Sequence, residues 1–188
     1  MTSPRFDIRD GGLPGLKIIQ RWILEDHRGS FSRLFCLNVF KDAGFPQPVS
    51  QINHTHTRHK GTLRGLHFQH PPHTEIKVVT CLKGEVYDVA VDLRENSPTF
   101  LSWKGVVLSE SNLTSLVIPR GFAHGFQTLT ADCEMLYLHS DAHHPEAEGG
   151  IHPEDPRLGI SWPCMIGAMS ERDQAWAFIP QDFPGLQV

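Results

Sequence analysis

The chain has 188 residues, of which 39% are hydrophobic and 20% are charged, and its formal net charge is −4. This composition is that of an ordinary globular protein, and the lack of a basic excess argues against a nucleic-acid partner. No apolar run approaches the roughly 20 residues of a membrane helix, and the N-terminal sequence has no apolar signal segment. We therefore expect one cytoplasmic domain over residues 1–188, without a membrane partner.

Strand patterns dominate the sequence, and helix patterns are scarce. Short apolar runs separated by Gly, Pro, Asn or Asp predict strands at residues 16–24, 30–36, 49–53, 62–69, 76–82, 85–93, 101–108, 115–118, 125–130 and 133–139. Only short helices are predicted, near residues 39–44 and 170–175, and Lys83 with Gly84 predicts a tight hairpin. Strands so closely spaced indicate an all-β sandwich or barrel.

The run at residues 85–93 alternates between two faces. Asp88 and Asp92 lie on one face, and bulky apolar residues lie on the other. If the acidic face lines the interior of a barrel, its carboxylates are available to a ligand. If the apolar face points inward, the carboxylates are solvated, which is the commoner arrangement. The sequence leaves both arrangements open.

The segment GTLRGLHFQ at residues 61–69 carries the most chemistry. It places Arg64 and His67 on a predicted strand, and Lys77 begins the next one. These side chains can hold an anion, take a proton from carbon and stabilise the resulting negative charge. Strict alternation would point Arg64 and His67 to opposite faces. Either a bulge at Gly65 re-aims the arginine, or the arginine serves a separate surface.

The same segment partly matches the metal-binding pattern of cupins. His67 follows Gly61 at the expected distance, and PRGFAH at residues 119–124 supplies His124, but the second position of the His-x-His pair is Gln69. Two histidines remain where three histidines and a carboxylate normally hold the ion. We therefore expect no metal and no cofactor, and we assign acid–base work to His67 and His124. A metal-dependent cupin is the alternative.

At this point the chain resembles the dTDP-4-dehydrorhamnose 3,5-epimerase family from about residue 16 to residue 176. The most specific matches are RGLHFQ at residues 64–69, GEVYDVAVDLR at 84–94, SPTF at 97–100, IPRGFAHGF at 118–126, GISWP at 159–163 and SERD at 170–173. The resemblance implies a metal-free, cupin-like jelly roll with a few short helices, assembled as a homodimer. It also implies an isomerase that inverts C3, C5 or both in a nucleotide-linked 4-keto-6-deoxyhexose, through an enolate. A mono-epimerase is an alternative within the family.

The resemblance also implies roles for individual residues. His67 is the base with Asp173 as its supporting carboxylate, Lys77 stabilises the enolate oxygen, and Tyr137 is the acid that returns a proton. Arg28 matches an arginine that meets the diphosphate, often across the dimer. The other implied substrate contacts are Arg64, His124, Gln51, Asn53, Glu148 and Arg172.

Three positions depart from the family pattern. Ser30 and Arg33 replace an aromatic residue and a glutamate, and His143 replaces a tyrosine that helps to enclose the substrate. The glutamate can accept a hydrogen bond from the thymine imide, whereas arginine only donates. We therefore hypothesise that the chemistry is retained while the substrate differs from the usual dTDP-sugar, with a base such as cytosine that presents acceptors to Arg33.

Overall fold

The structure is a computed structural model that describes residues 5–188. The strands are β1 (Phe6–Asp10), β2 (Lys17–Arg21), β3 (Ile23–Asp26), β4 (Gly29–Ser32), β5 (Gln51–Thr57), β6 (Leu63–Gln69), β7 (Lys77–Lys83), β8 (Glu85–Asp92), β9 (Trp103–Ser109), β10 (Thr114–Ile118), β11 (Phe122–Thr128), β12 (Cys133–His139) and β13 (Glu148–Gly150). The helices are α1 (Leu37–Asp42), a 3₁₀ helix (Pro145–Ala147) and α2 (Glu171–Ala175).

Two antiparallel sheets face each other. The first has six strands in the order β1-β2-β10-β7-β12-β5, and the second has five in the order β13-β6-β11-β8-β9. Strands β3 and β4 form a separate exposed hairpin. The predicted all-β, cupin-like jelly roll is confirmed. The single domain over residues 1–188 stays a prediction, because residues 1–4 lie outside the described part. Within residues 5–188, no helix is long and apolar enough to cross a membrane.

Apolar side chains fill the space between the sheets and also cover both outer faces. The inner cluster includes Val79 of β7, Val86 of β8 and Phe126 of β11. A second cluster packs the C-terminal segment, through Ile179 and Leu186, on the outer face of the five-stranded sheet. A third packs α1 on the outer face of the six-stranded sheet. Since both faces of each sheet are covered, burial follows both sides of the central strands.

Burial on both sides decides the question left open for β8. Val86 and Ala90 belong to the inner cluster, whereas Val89 and Val91 belong to the outer one. Asp88 shares the inner face with Val86 and Ala90, and its carboxylate is fully buried. The commoner expectation of solvated carboxylates on this strand is therefore wrong.

Several predicted boundaries differ from the observed ones. The run at residues 16–24 is two strands that separate at Trp22, and β1 and β13 were not predicted. The predicted hairpin at Lys83 and Gly84 is wrong, because β7 pairs with β10 and β12 while β8 pairs with β9 and β11. The chain passes there from one sheet to the other. Gly84 has a φ of +77°, and a Cβ at this position would lie 2.6 Å from Oγ1 of Thr130, so the crossing requires glycine.

Asp92 is a structural carboxylate at the end of β8. It accepts hydrogen bonds from Arg94, Ser97 and Thr99 at 2.6–3.0 Å. Burial alone would raise the pKa of Asp92, but these donors outweigh it and lower the pKa from 3.8 to about 2. Since the pKa is lowered by folding, the stabilisation is present above pH 3.8 and is lost as the pH falls through 2.

The substitution Asp92→Asn should therefore destabilise the fold by about 2 kcal/mol at pH 7, because the ionised form loses its charge-assisted bonds. At pH 3 the difference from the unsubstituted protein should shrink to roughly half of that value. Urea unfolding at the two pH values measures both numbers. Asp132→Asn, at an exposed carboxylate, is the matched control. A penalty for Asp92→Asn that does not depend on pH would contradict this account.

Candidate active site

A cavity of about 520 Å³ lies between the two sheets. One wall comes from β5, β7 and β12 of the six-stranded sheet, and the other comes from β6 and β11, with β13 and α2 at its edge. Eleven of the predicted site residues line it: Gln51, Asn53, Arg64, His67, Lys77, His124, Tyr137, His143, Glu148, Arg172 and Asp173. Arg28 and Arg33 are not among the lining residues.

A bulge in β6 brings Arg64 and His67 into the same cavity. Opposite β11, His124 pairs with His67 and Phe126 pairs with Arg64, so three steps on β6 face two on β11. Gly65, in the extra step, has a φ of +119°, and a Cβ there would lie 2.6 Å from the Cα of Gly125. Of the two alternatives left open by the sequence, the bulge at Gly65 is the one observed.

His67 is held by a buried carboxylate from the far end of the chain. Its Nε2 lies 2.7 Å from Oδ1 of Asp173, and the N–H of Gly65 donates to Oδ2 at 3.2 Å. Ser170 caps α2 by accepting the N–H of Asp173 at 3.0 Å, which fixes the aspartate in the first turn. Burial opposes ionisation, but the bonds from His67, Gly65 and Ser170 prevail and lower the pKa of Asp173.

The ionised Asp173 sets the tautomer of the histidine. A carboxylate only accepts hydrogen bonds, so Nε2 of His67 carries the proton and Nδ1 keeps its lone pair. The imidazole is partly exposed to the cavity, whereas the carboxylate is almost completely buried. This is the arrangement of a general base with a supporting carboxylate.

His124 forms a second histidine–carboxylate pair on the same wall. Its Nε2 lies 2.9 and 3.0 Å from the two carboxylate oxygens of Asp88, and both side chains are buried. Asp88 therefore orients His124 from inside the barrel.

Tyr137 lies on the opposite wall, in β12. Its ring centroid is 6.2 Å from that of His124, and its hydroxyl lies 3.3 Å from Oγ1 of Thr55. Burial raises the pKa of Tyr137 well above the ordinary phenol value, with a further increase from Asp88, and the hydrogen bond with Thr55 only partly opposes this. The phenol is therefore protonated at neutral pH and can donate.

Lys77 lies in a buried ion network on the same wall as Tyr137. Its Nζ is 3.1 Å from Oε1 of Glu75, and Oε2 of Glu75 is 2.6 Å from Nδ1 of His139. Burial disfavours the charged form of Glu75, but Lys77 and His139 together lower the pKa of Glu75. The carboxylate thus fixes the position of the ammonium group without leaving either charge unpaired in the interior.

Polar contacts define the edge of the cavity. Arg172 donates to both carboxylate oxygens of Glu148 at 2.9 and 3.1 Å. Gln51 donates to Oδ1 of Asn53 at 3.0 Å and accepts the backbone N–H of His143 at 2.9 Å. A ligand entering the cavity would meet side chains that are already held by these contacts.

Gln69 lines the cavity, but the polar atoms of its amide are all bonded to backbone groups. Its amide nitrogen donates to the carbonyls of His73 and Ala142, both at 3.1 Å, and its Oε1 accepts the N–H of His144 at 2.7 Å. The amide therefore joins the segment after β6 to the segment after β12. At the place where a cupin would supply a metal ligand, this side chain is fully hydrogen-bonded to backbone.

Arg28 and Arg33 lie outside the cavity in the single chain. Arg28 is exposed in the β3–β4 hairpin, where it pairs with Asp26 at 2.6 Å. Arg33 is exposed just beyond β4, and Ser30 lies within β4. The hairpin also exposes apolar side chains, among them Phe31 at 58%.

Three residues that support the site were not identified from the sequence: Glu75, His139 and Ser170. His139 lies two positions after Tyr137 on β12, so period-two alternation would have placed it on the cavity face. Glu75 lies just before β7, outside the strand, so alternation gave no signal for it. Asp88 was named as a carboxylate that could line the interior, but His124 was not recognised as its partner. Ser170 carried a usable signal, since serine three residues before aspartate is a common start of a helix.

Comparisons with known proteins show the family of the chain. A family model described as dTDP-4-dehydrorhamnose 3,5-epimerase matches residues 10–181. The dTDP-4-dehydrorhamnose 3,5-epimerase of Neisseria gonorrhoeae is 42% identical over 175 residues, which is 91% of this chain but 53% of that protein, so the chain spans about half of its length. The enzyme of the same name from Methanothermobacter thermautotrophicus is 41% identical over 167 residues, 87% of this chain and 89% of that one.

Comparison with a crystal structure shows the same family. The dTDP-6-deoxy-D-glucose-3,5-epimerase of Legionella pneumophila, in complex with dTDP-4-keto-L-rhamnose, superposes with a TM-score of 0.89 at 40% identity, covering 97% of this chain and all of that one. The cupin-like jelly roll and these relatives define the chain as an isomerase. The chain belongs to the dTDP-4-dehydrorhamnose 3,5-epimerase family. It is a sugar-nucleotide epimerase, as the motifs at residues 64–69 and 118–126 predicted.

Proposed function

We propose that the protein inverts C3 and C5 of a dTDP-linked 4-keto-6-deoxyhexose by removing and returning the protons next to the ketone. The observation that carries this proposal is the position of the His67–Asp173 pair and Tyr137 on opposite walls of one cavity. An epimerisation needs a proton removed from one face of a carbon and another delivered to the opposite face, which facing walls allow.

His67 is the base in this proposal. Nδ1 takes the proton from the carbon next to the ketone, and the electron pair of the C–H bond moves to form the enolate, with the negative charge on the C4 oxygen. The imidazolium that forms is stabilised by the ionised Asp173 at 2.7 Å.

Lys77 stabilises the developing oxyanion. A buried ammonium group held by Glu75, which is itself held by His139, is already in place when the charge develops, so little reorganisation is needed. Removal of such a preorganised donor typically costs about 10²–10³-fold in rate.

Tyr137 then donates its hydroxyl proton to the opposite face of the same carbon, which restores the ketone with inverted configuration. The phenolate and the imidazolium return to their starting states by exchanging protons with solvent. The sugar and the diphosphate are bound by the other predicted residues of the cavity: Arg64, His124, Gln51, Asn53, His143 and the Glu148–Arg172 pair.

Solvent exchange tests the reaction directly. Incubation of the protein with a dTDP-linked 4-keto-6-deoxyhexose in D₂O should place deuterium at C3 and C5 of the product, as read by NMR and mass spectrometry. Label at C3 alone would identify a mono-epimerase. No incorporation from any nucleotide form would overturn the proposal.

Arg33 supports a second candidate, in which the same chemistry acts on a sugar linked to another nucleotide. The supporting observation is that an arginine, which donates, stands where the family has an acceptor for thymine. Repeating the exchange experiment with dTDP-, CDP-, GDP- and UDP-linked forms separates the candidates. Preference for dTDP excludes the second candidate, and preference for CDP supports it.

We also propose that the protein acts as a homodimer in which Arg28 reaches the partner's cavity. Two features support this: Arg28 lies outside the cavity of its own chain, and its hairpin exposes Ile23, Leu24 and Phe31 to solvent. A cytoplasmic location stays a prediction, which cell fractionation can check.

Mixing two impaired variants tests the shared site. If Arg28 acts across the dimer, then His67→Asn and Arg28→Ala should each be impaired, but a reassorted mixture should recover roughly a quarter of wild-type activity. After random reassortment, half of all dimers would contain one chain of each variant, and one of the two sites in each of these dimers would be intact. Recovery should be absent when the two substitutions are combined in one chain. A monomer in sedimentation, or no recovery on mixing, would exclude this arrangement.

A further inference from the structure

Three side chains that the reaction does not use converge beside the mouth of the cavity. His73 lies on the segment between β6 and β7, and Asp141 and His144 lie between β12 and the 3₁₀ helix. The imidazoles of His73 and His144 stack with their centroids 3.6 Å apart, and Nδ1 of His73 is 3.8 Å from Oδ2 of Asp141. One donor atom from each residue lies within 4.8 Å of the other two, and no other trio in residues 5–188 has this property.

The backbone under this trio is fixed. Buried Gln69 hydrogen-bonds the carbonyl of His73 on one segment and the N–H of His144 on the other, at 3.1 and 2.7 Å. The carbonyl of Ala147 also accepts the N–H of His70 at 2.7 Å, which joins the same two segments a second time. The two histidines and the aspartate are therefore brought together by the fold itself, although they come from segments almost 70 residues apart.

The donor chemistry is specific. Two imidazoles with one carboxylate suit Zn²⁺ and its neighbours Co²⁺, Ni²⁺ and Cu²⁺, whereas Mg²⁺ and Ca²⁺ prefer sites made of oxygen donors. Oδ1 of Asp141 accepts the N–H of Ala142 at 2.9 Å, which leaves Oδ2 available. Oε1 of Glu146 lies 3.3 Å from Nδ1 of His144, in the position of an outer carboxylate that orients a ligating ring.

We propose that His73, Asp141 and His144 bind one zinc-class metal ion at the rim of the cavity, separate from the reacting groups. Ligand atoms around Zn²⁺ lie roughly 3.3 Å apart, so the two rings turn out of their stack to converge on the ion. Each side chain is about one-third exposed and has room to make this rotation. Water completes the coordination.

The ion would cross-link the two segments that frame the mouth. His143, next to His144, lines the cavity, and so does Gln69. Binding therefore stabilises the folded chain and reduces the motion of this rim. The bound ion thus acts as a structural cross-link. When it binds, the melting temperature rises in proportion to the logarithm of the free metal concentration.

Calorimetric titration of the full chain with ZnCl₂ tests the site, with MgCl₂ as the comparison ion. We expect one saturable equivalent of Zn²⁺ and no heat of binding with Mg²⁺. Each of His73→Gln, His144→Gln and Asp141→Asn should weaken Zn²⁺ binding by at least about tenfold. The matched control is the double variant His54→Gln with His56→Gln, which removes two exposed histidines that each face a single carboxylate.

Co²⁺ provides a second readout that does not depend on the variants. A visible absorption band of four-coordinate Co²⁺, displaced by one equivalent of Zn²⁺, is expected in the unsubstituted protein and in the control. The proposal is overturned if the control loses as much affinity as the single variants. It is also overturned if binding does not saturate at one equivalent, or if the Co²⁺ spectrum stays that of the free hydrated ion.

Discussion

Replacing His67 with asparagine should lower both turnover and deuterium incorporation by roughly 10³-fold, since general acid–base groups contribute about 10²–10⁴-fold. Asparagine can still donate to Asp173, so the fold and the wall of the cavity should persist. It has no lone pair of comparable basicity to receive a proton from carbon. Deuterium incorporation at C3 and C5, measured by NMR under single-turnover conditions, gives the loss at each carbon separately.

Two further variants show whether the loss is chemical. Asp173→Asn should lower exchange by on the order of 10²-fold or more, because a neutral amide neither fixes the tautomer of His67 nor stabilises its imidazolium. His70→Asn, at an exposed histidine beyond the end of β6, should leave exchange unchanged. Nucleotide affinity should stay near wild type in all three variants. Normal exchange in His67→Asn would remove the base from the mechanism.

Replacing Tyr137 with phenylalanine should separate proton removal from inversion. The variant keeps the aromatic ring and loses only the hydroxyl, so His67 still forms the enolate and, once deuterated by solvent, returns deuterium to the face it came from. We expect deuterium to enter the substrate with retained configuration. Formation of the inverted product should fall by about 10²-fold or more.

Tyr87→Phe is the matched control, since this is the other tyrosine of the chain and it packs against Trp162 away from the cavity. Its exchange and inversion should both match the wild type. If Tyr137→Phe lost exchange and inversion equally, the hydroxyl would be acting with the base rather than after it. Unimpaired inversion would show that another group supplies the proton.

Much of the reacting set was visible in the sequence. His67, Lys77 and Tyr137 lie on strands whose period-two pattern is strong, and their elements were predicted within two residues. The role of Asp173 was inferred from the family resemblance, because nothing local in the sequence links it to a histidine 106 positions earlier. The bulge at Gly65 could be named as an alternative but not chosen, since its evidence is the pairing of β6 with β11.

The remaining features depend on packing that one sequence does not encode locally. A glycine between two strands predicts a turn equally well whether the chain stays in its sheet or passes to the other sheet. For this reason the hairpin predicted at Gly84 is wrong. The orientation of Asp88 was undecidable because β8 is buried on both faces. The proposed role of Arg28 in a partner's cavity involves a second subunit, which the pattern of one strand does not reveal.

Gln69 bears on how this barrel could change its chemistry. A single substitution to histidine would restore the His-x-His pair of the cupin metal-binding pattern, yet it would also remove the amide that now donates to the carbonyls of His73 and Ala142. An imidazole that binds a metal through one nitrogen has only one N–H left to donate, so at least one of the two carbonyl oxygens would lose its donor. A path from this epimerase to a metal-dependent oxygenase, in evolution or in the laboratory, therefore has to rebuild both rim segments before the metal ligand can be tolerated.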